Sequence, residues 1–289
     1  MRDWLVDRLN GHLDVDAGLA TGRFVLEDGS PLSADAPYRP HTFVWFHRDL
    51  PQETPVPGEI RVVYQDERIV VVDKPPFLSS IPRGRHIRES VVVRMREQLG
   101  LGELTPMHRL DRVTSGLLLL ATERRWRGAY QSMFMRGEVQ KRYRAIAPLR
   151  EDLDLPVTVR NHLAKQRGTF QAEVVLDREP NAESLVELEA ELPADALVPS
   201  YPAPDPAARF ASYRLTPRTG KTHQLRMHLW QLGIPIVGDP LYPVVHDVAL
   251  DDFRVPLQLL ASELAFVDPG SGEECHFVSA REMPLVVAG

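Results

Sequence analysis

His108-Arg109-Leu110-Asp111-Arg112-Val113-Thr114-Ser115-Gly116 runs straight into Leu117-Leu118-Leu119-Leu120-Ala121. The second half is a short apolar run that reads as a buried strand. The first half is a polar loop of mixed charge pressed against it, with one carboxylate set between two arginines. Such a loop beside a core strand is not ordinary surface. Spacing alone leaves two readings open: an ion network among Arg109, Asp111 and Arg112 that pins the loop, or a carboxylate held ready for catalysis.

Working outward, Arg68-Ile69-Val70-Val71-Val72-Asp73 is a second apolar run, stopped by Lys74-Pro75-Pro76, and reads as a strand entering a loop. Val92, Met95 and Leu99 share one face of a short helix closed by Gly100. Beyond Ala121, Thr122 is expected to cap a helix carrying Trp126, Ala129, Tyr130, Met133 and Phe134, with Gly137 ending it. From Val139 to Ile146 the residues alternate, which places Lys141 and Tyr143 on the same side of a strand. Strands are also expected near 170–175, 184–192 and 212–215, and 193–208, rich in Pro and Ala, reads as an exposed loop. Residues 222–232 form a helix with Thr222 as its cap. The irregular order of elements predicts an α+β fold with a mixed, largely antiparallel central sheet and flanking helices.

Residues 1–57 are expected to form a small N-terminal region ending in Pro51-Gln52-Glu53-Thr54-Pro55-Val56-Pro57-Gly58, a linker composition, and 58–289 the main domain. Within the first region, 22–29 reads as a hairpin with a turn at Asp28-Gly29, and 41–47 as another strand.

One cysteine, Cys275, excludes an internal disulfide framework and a Cys-rich zinc site. With no leader-like or long apolar span, the expected setting is soluble and cytoplasmic. A net charge of −6 argues at first against a nucleic-acid partner, but residues 83–150 hold fifteen Lys and Arg against six Asp and Glu. A basic stretch inside an acidic chain suggests one anion-binding face. No Gly-rich phosphate loop follows a strand and no His, Cys and carboxylate spacing suits a metal, so neither a cofactor nor a metal is expected.

The opening segment resembles the His-Arg-Leu-Asp-Arg-x-Thr-Ser-Gly signature of the RluA-type pseudouridine synthases. Further similarities follow in order: Val72-Asp73-Lys74-Pro75-Pro76, Lys141-Arg142-Tyr143, Gly220-Lys221-Thr222-His223-Gln224-Leu225-Arg226 and Pro235-Ile236-Val237-Gly238-Asp239-Pro240-Leu241-Tyr242. The N-terminal region resembles the β half of a small RNA-binding module, first known from a ribosomal protein, that many members carry. The resemblance implies the pseudouridine synthase fold with a catalytic cleft, and an isomerase of uridine in structured ribosomal or transfer RNA. It implies no cofactor, and it implies neither a membrane nor a DNA partner. A monomer is expected.

By the same resemblance Asp111 is the catalytic carboxylate, acting on the ribose as nucleophile or as base. Arg226 is its partner, able to offer two parallel hydrogen bonds. Tyr143 is the platform on which the flipped uracil stacks. Arg109 fills the place the base leaves, and Arg83, Arg85, Arg88, Arg112 and Lys141 are candidate backbone contacts. Leu225 lines the base pocket, while His108 and His223 order the loops they sit in. Two departures, Lys221 in place of a usual arginine and Leu259-Leu260-Ala261-Ser262 in place of a usual Leu-Leu-His-Ala run, bear on subfamily and substrate more than on the reaction. A non-catalytic RNA binder would be favoured by loss of Asp111 or Arg226, and a hydrolase with an Asp nucleophile by a second acid-base carboxylate. Both residues are present, and no such carboxylate stands in a matching motif.

Overall fold

The two apolar runs become neighbouring antiparallel strands, Ile69–Lys74 and Ser115–Ala121, in which every residue is buried. Such burial means that both faces of the sheet are covered, and the alternation of side chains divides them between two cores. Val70, Val72, Leu118 and Leu120 enter one, with the helix Val91–Leu99 and Leu225 and Leu229 of the helix Gln224–Gln231. Ile69, Val71, Leu117 and Leu119 enter the other, against Tyr130 and Met133 of the helix Arg124–Met135.

The computed structural model describes residues 1–9, 13–47, 52–84, 86–166, 168–196, 198–201 and 208–285. Its large sheet has ten strands. The main path runs Arg61–Gln65, Ile69–Lys74, Ser115–Ala121, Leu259–Val267, Gln140–Pro148, Phe210–Pro217, Ala182–Glu191 and Val157–Asn161, with Thr105–Pro106 and Glu274–Val278 paired to its sides. All pairings are antiparallel except that of Ser115–Ala121 with Leu259–Val267. The α+β expectation with a mixed, largely antiparallel sheet therefore holds.

The parallel junction explains the glycine of the opening segment. Gly116 has φ 107°, and a Cβ there would lie 2.3 Å from the Ala261 carbonyl oxygen and 2.7 Å from its nitrogen. No side chain fits where two backbones approach this closely.

The chain divides into two compact units, Met1–Gln52 and Glu53–Gly289. Composition placed the division at 57; Glu53 instead accepts from the backbone N–H groups of Ile87, Arg88 and Glu89 at 2.9 to 3.1 Å, which fixes it to the larger unit. In the smaller unit, helices Arg2–Leu9 and Val15–Ala20 precede the strand pair Phe24–Val25 and Trp45–Phe46, so helix is present where the sequence suggested only a β half. Leu5, Val15, Leu19, Phe24 and Leu32 form its own core.

Two caps differ from expectation. Thr122 donates its hydroxyl to the carbonyls of Glu67 and Arg68 and ties the end of Ser115–Ala121 to the turn before Ile69–Lys74 instead of capping the helix, which starts at Arg124. Thr222 does not cap its helix either: His223 holds the N-cap position with φ 57°. The expected strand at 170–175 shrinks to Glu173–Val174, paired with Leu163–Ala164 in a small hairpin. Among the described residues no helix is long and apolar enough to cross a membrane.

Candidate active site

A cleft of about 1090 Å³ opens where the Asp111 loop, the strand Gln140–Pro148 and the helix Gln224–Gln231 meet. It gathers Asp111, Tyr143 and Arg226 with Arg109, Arg112 and Lys141, and Leu225, His108 and Arg83 also line it. These residues lie as far apart as 83 and 226 in the chain, and only the fold unites them. Arg85 lies outside the described residues. Arg88 is exposed and does not line the cleft.

Each element places its side chain for a local reason. The strand Gln140–Pro148 pairs on both sides, opposite Ala261 and Leu215 at Tyr143. Its alternation sends Lys141 and Tyr143 to the cleft, while Arg142 and Arg144 on the other side meet Glu263 and Glu189. The Asp111 loop is held from below by Lys74, which is fully buried. Its Nζ donates to the carbonyls of Pro75, Leu78 and Arg112 at 3.0, 2.8 and 3.1 Å. Burial pushes the Lys74 pKa well down, and three carbonyl acceptors are what a buried ammonium needs to keep its proton. Ser80 Oγ adds two bonds to the loop, accepting from Leu110 N–H and donating to its carbonyl.

Arg226 is 2% exposed. Its paired hydrogen bonds go to Asp239, from Nε at 2.7 Å and a terminal nitrogen at 2.5 Å, and the other terminal nitrogen reaches Asp111 at 3.4 Å. The expected two-pronged bond to Asp111 is therefore made to a different carboxylate. Burial works against the Arg226 charge, but Asp239 outweighs it and the pKa is raised. Asp239 also accepts from the backbone N–H groups of Leu241 and Tyr242. The Asp111 side chain is 32% exposed and faces the cleft.

His223 stands with Nε2 3.8 Å from the same Asp111 oxygen and Nδ1 2.9 Å from the Tyr242 hydroxyl. Its left-handed backbone, uncommon outside glycine, aims the ring between these two groups. Burial lowers its pKa to about 4, so the ring is neutral near pH 7. His108 accepts from Leu119 N–H at 3.1 Å, stacks on Phe134 and is pushed by burial to a pKa of about 3. Both histidines are thus held as neutral rings, His108 against the strand Ser115–Ala121 and His223 against Tyr242. Gln224, buried at the start of the helix, ties the preceding turn to the neighbouring strand: it accepts from Lys221 N–H and the Thr219 hydroxyl and donates to Glu183 O and Ser184 Oγ.

Tyr143 has no hydrogen-bond partner for its hydroxyl among the described residues, and burial followed by the Asp111 charge raises its pKa. Arg109 is exposed and makes neither hydrogen bond nor ion pair with a described residue. Arg112, by contrast, bonds the carbonyls of Phe77 and Leu250 and lies 5.9 Å above the Phe77 ring. Among the described residues eight Lys and Arg line the cleft against one carboxylate, Asp111. Four of the eight come from the basic stretch; Lys165, Arg218, Lys221 and Arg226 come from later in the chain. The anion-attracting character of the site is thus assembled from both halves of an acidic protein. Among the described residues no three His, Cys, Asp or Glu side chains cluster as metal ligands would.

A family model described as RNA pseudouridylate synthase matches residues 68–231. The chain is 34% identical over 223 residues to the tRNA pseudouridine synthase C of Vibrio vulnificus, covering 74% of this chain and 88% of that one. It is 32% identical to the dual-specificity RNA pseudouridine synthase RluA of Pasteurella multocida, covering 77% and 94%. Among solved structures, human RNA Pseudouridylate Synthase Domain Containing 1 shares the fold with a TM-score of 0.59 at 21% identity, over 80% of this chain and 86% of that one.

Proposed function

Since the chain belongs to the RNA pseudouridylate synthase family and is of the RluA type, an isomerase of uridine in RNA, we propose that it modifies uridines of structured ribosomal or transfer RNA with Asp111 as its catalytic carboxylate. The relatives named for transfer RNA and for dual specificity support that substrate range. The reaction breaks the bond between ribose C1′ and uracil N1, turns the base and joins C1′ to C5; C5 gives up a proton and N1 gains one, so no atoms are added or lost.

One observation carries the assignment. Among the described residues Asp111 is the sole acidic one lining the cleft, partly open to it, with a buried guanidinium behind it and seven further cationic residues around it. The cations draw the phosphate backbone in, and the carboxylate oxygen faces the space where the ribose sits. Asp111 then attacks C1′ or removes the C2′ proton, and both routes use the ionised oxygen. Tyr143 is suited to stacking: its hydroxyl keeps its proton near neutrality, and the ring lies in the cleft next to Lys141. Arg109, exposed and unpaired, is free to fill the gap left by a flipped uridine. That exchange offsets part of an unstacking cost of a few kcal/mol.

Pseudouridine mapping of total RNA from cells with the protein, without it, and with Asp111→Asn tests the proposal. Sites present only with the parent protein are expected, in ribosomal or transfer RNA. Sites that persist with Asp111→Asn would overturn the catalytic assignment.

A further inference from the structure

Beside the catalytic cleft lies a second cavity of about 740 Å³ with an opposite chemical character. Its lining is largely apolar: Phe170, Ala172, Val174, Met227, Trp230 and Val245. Among the described residues no Lys or Arg lines it, and Glu173 is the charged one. Phe170 is 73% exposed and Trp230 38%, a large outlay of aromatic surface to water for positions with no evident packing partner above them.

The two cavities adjoin. Gln166 and Thr169 line both. Between them runs the loop of the hairpin Leu163–Ala164 with Glu173–Val174, which carries Lys165 in the cationic cleft and Phe170 in the apolar cavity. Lys165 Nζ donates to the Phe170 carbonyl at 2.7 Å, so the two residues are held as a pair. On the other wall, Trp230 stands one turn after Arg226 on the same helix. The Tyr242 ring bridges them, 5.1 Å from the Arg226 guanidinium carbon and 5.7 Å from the Trp230 ring.

We infer that this cavity is a second base-binding site, which takes an unpaired nucleobase of the same RNA next to the modified uridine by stacking it on Trp230 and Phe170. The inference rests on the RNA-isomerase reading. A strand whose phosphates follow the cationic cleft must turn its neighbouring bases somewhere, and an adjoining, largely apolar cavity with aromatic walls suits a base. The polar rim selects among bases. One Glu173 oxygen accepts from Gln166 Nε2 and the other has no partner among the described residues, so it favours a base bearing an exocyclic amine, adenine, cytosine or guanine, over uracil.

Binding measured without turnover separates this site from the reaction. In the full-length Asp111→Asn protein, the affinities of hexaadenylate and hexauridylate are read by anisotropy, and Trp230 emission by comparison with a Trp230→Phe partner. Hexaadenylate is expected to quench Trp230 and to bind more tightly than hexauridylate. Phe170→Ala, at an exposed position that folding tolerates, and Trp230→Ala are each expected to weaken hexaadenylate about tenfold, Trp230→Phe much less, and Glu173→Gln to narrow the preference over hexauridylate. Equal hexaadenylate binding by parent, Phe170→Ala and Trp230→Ala, or no Trp230 quenching, would overturn the second site. Pseudouridine formed by the protein with Asp111 intact would still stand as evidence for the isomerase.

Discussion

Arg226 gives its paired hydrogen bonds to Asp239 and a single longer one to Asp111, so one buried guanidinium joins two carboxylates of different kinds. Asp239 is buried, bonded by two backbone N–H groups and closed to the cleft; Asp111 is a third exposed and faces it. The first anchors the arginine, and the second receives what the arginine has left.

Asp239→Asn should therefore lose stability and rate together. Removing one partner of a buried pair leaves an uncompensated charge and costs about 3–5 kcal/mol; an Asn that keeps its carbonyl acceptor should fall at the low end. Asp111→Asn should lower the rate with little change in stability. Urea unfolding and single-turnover rates on both variants check this, and equal stabilities for the two would refute the anchoring role.

Gly116→Ala should be among the most disruptive single-methyl additions. Its Cβ would meet the Ala261 backbone at 2.3 Å across the parallel strand junction, and backbone cannot step aside as a side chain tip can. A loss of more than about 3 kcal/mol is expected, by overpacking and by strain at a positive φ. Thermal unfolding of the purified variant, or its failure to accumulate as soluble protein beside the parent, would show it.

Three histidines predict acid sensitivity. His108 is pushed to about 3, and His223 and His228 to about 4, burial being the first cause of each. Their folded pKa values lie below the unfolded value of 6.5, so between those limits the unfolded chain binds more protons. Stability is then complete above pH 6.5 and falls as pH drops towards 4, by about 1.4 kcal/mol per pH unit for each extra proton bound. His228→Gln, at a fully buried position outside the cleft, should flatten the midpoint against pH profile; an unchanged profile would remove its share.

RNA affinity should fall steeply with salt. Arg109, Arg83, Lys141 and Lys221 line the cleft without an ion pair to a described residue, and each that meets a phosphate contributes about one unit of slope in log affinity against log salt. Lys141→Ala should reduce that slope by about one. A flat response in the parent protein would argue that the cleft does not meet the backbone.

Much of this was legible in the chain. The apolar runs at 69–73 and 117–121, the alternation that puts Lys141 beside Tyr143, and the glycine that closes the helix ending at Leu99 are local effects of burial periodicity and backbone freedom, and each appears where the sequence places it. The loop around Asp111 was also recognisable, as was the set of side chains that meets it. Long-range partner choice was not. Whether Arg226 turns to a carboxylate 13 residues away or 115 away, whether Thr122 caps its helix or ties a strand end to a turn, and how Lys74 satisfies a charge at zero exposure depend on which groups packing brings within hydrogen-bond reach. The charge pattern shows the same division: the basic stretch was visible, but Arg142 and Arg144 turn away to Glu263 and Glu189 while Lys165 and Lys221 arrive from elsewhere. The sequence by itself determined the elements and the chemistry available, because periodicity and side-chain type are local. Tertiary structure decided which carboxylate is buried against Arg226 and which faces the cleft, because hydrogen bonds and desolvation act over a few ångströms between residues that the chain keeps far apart.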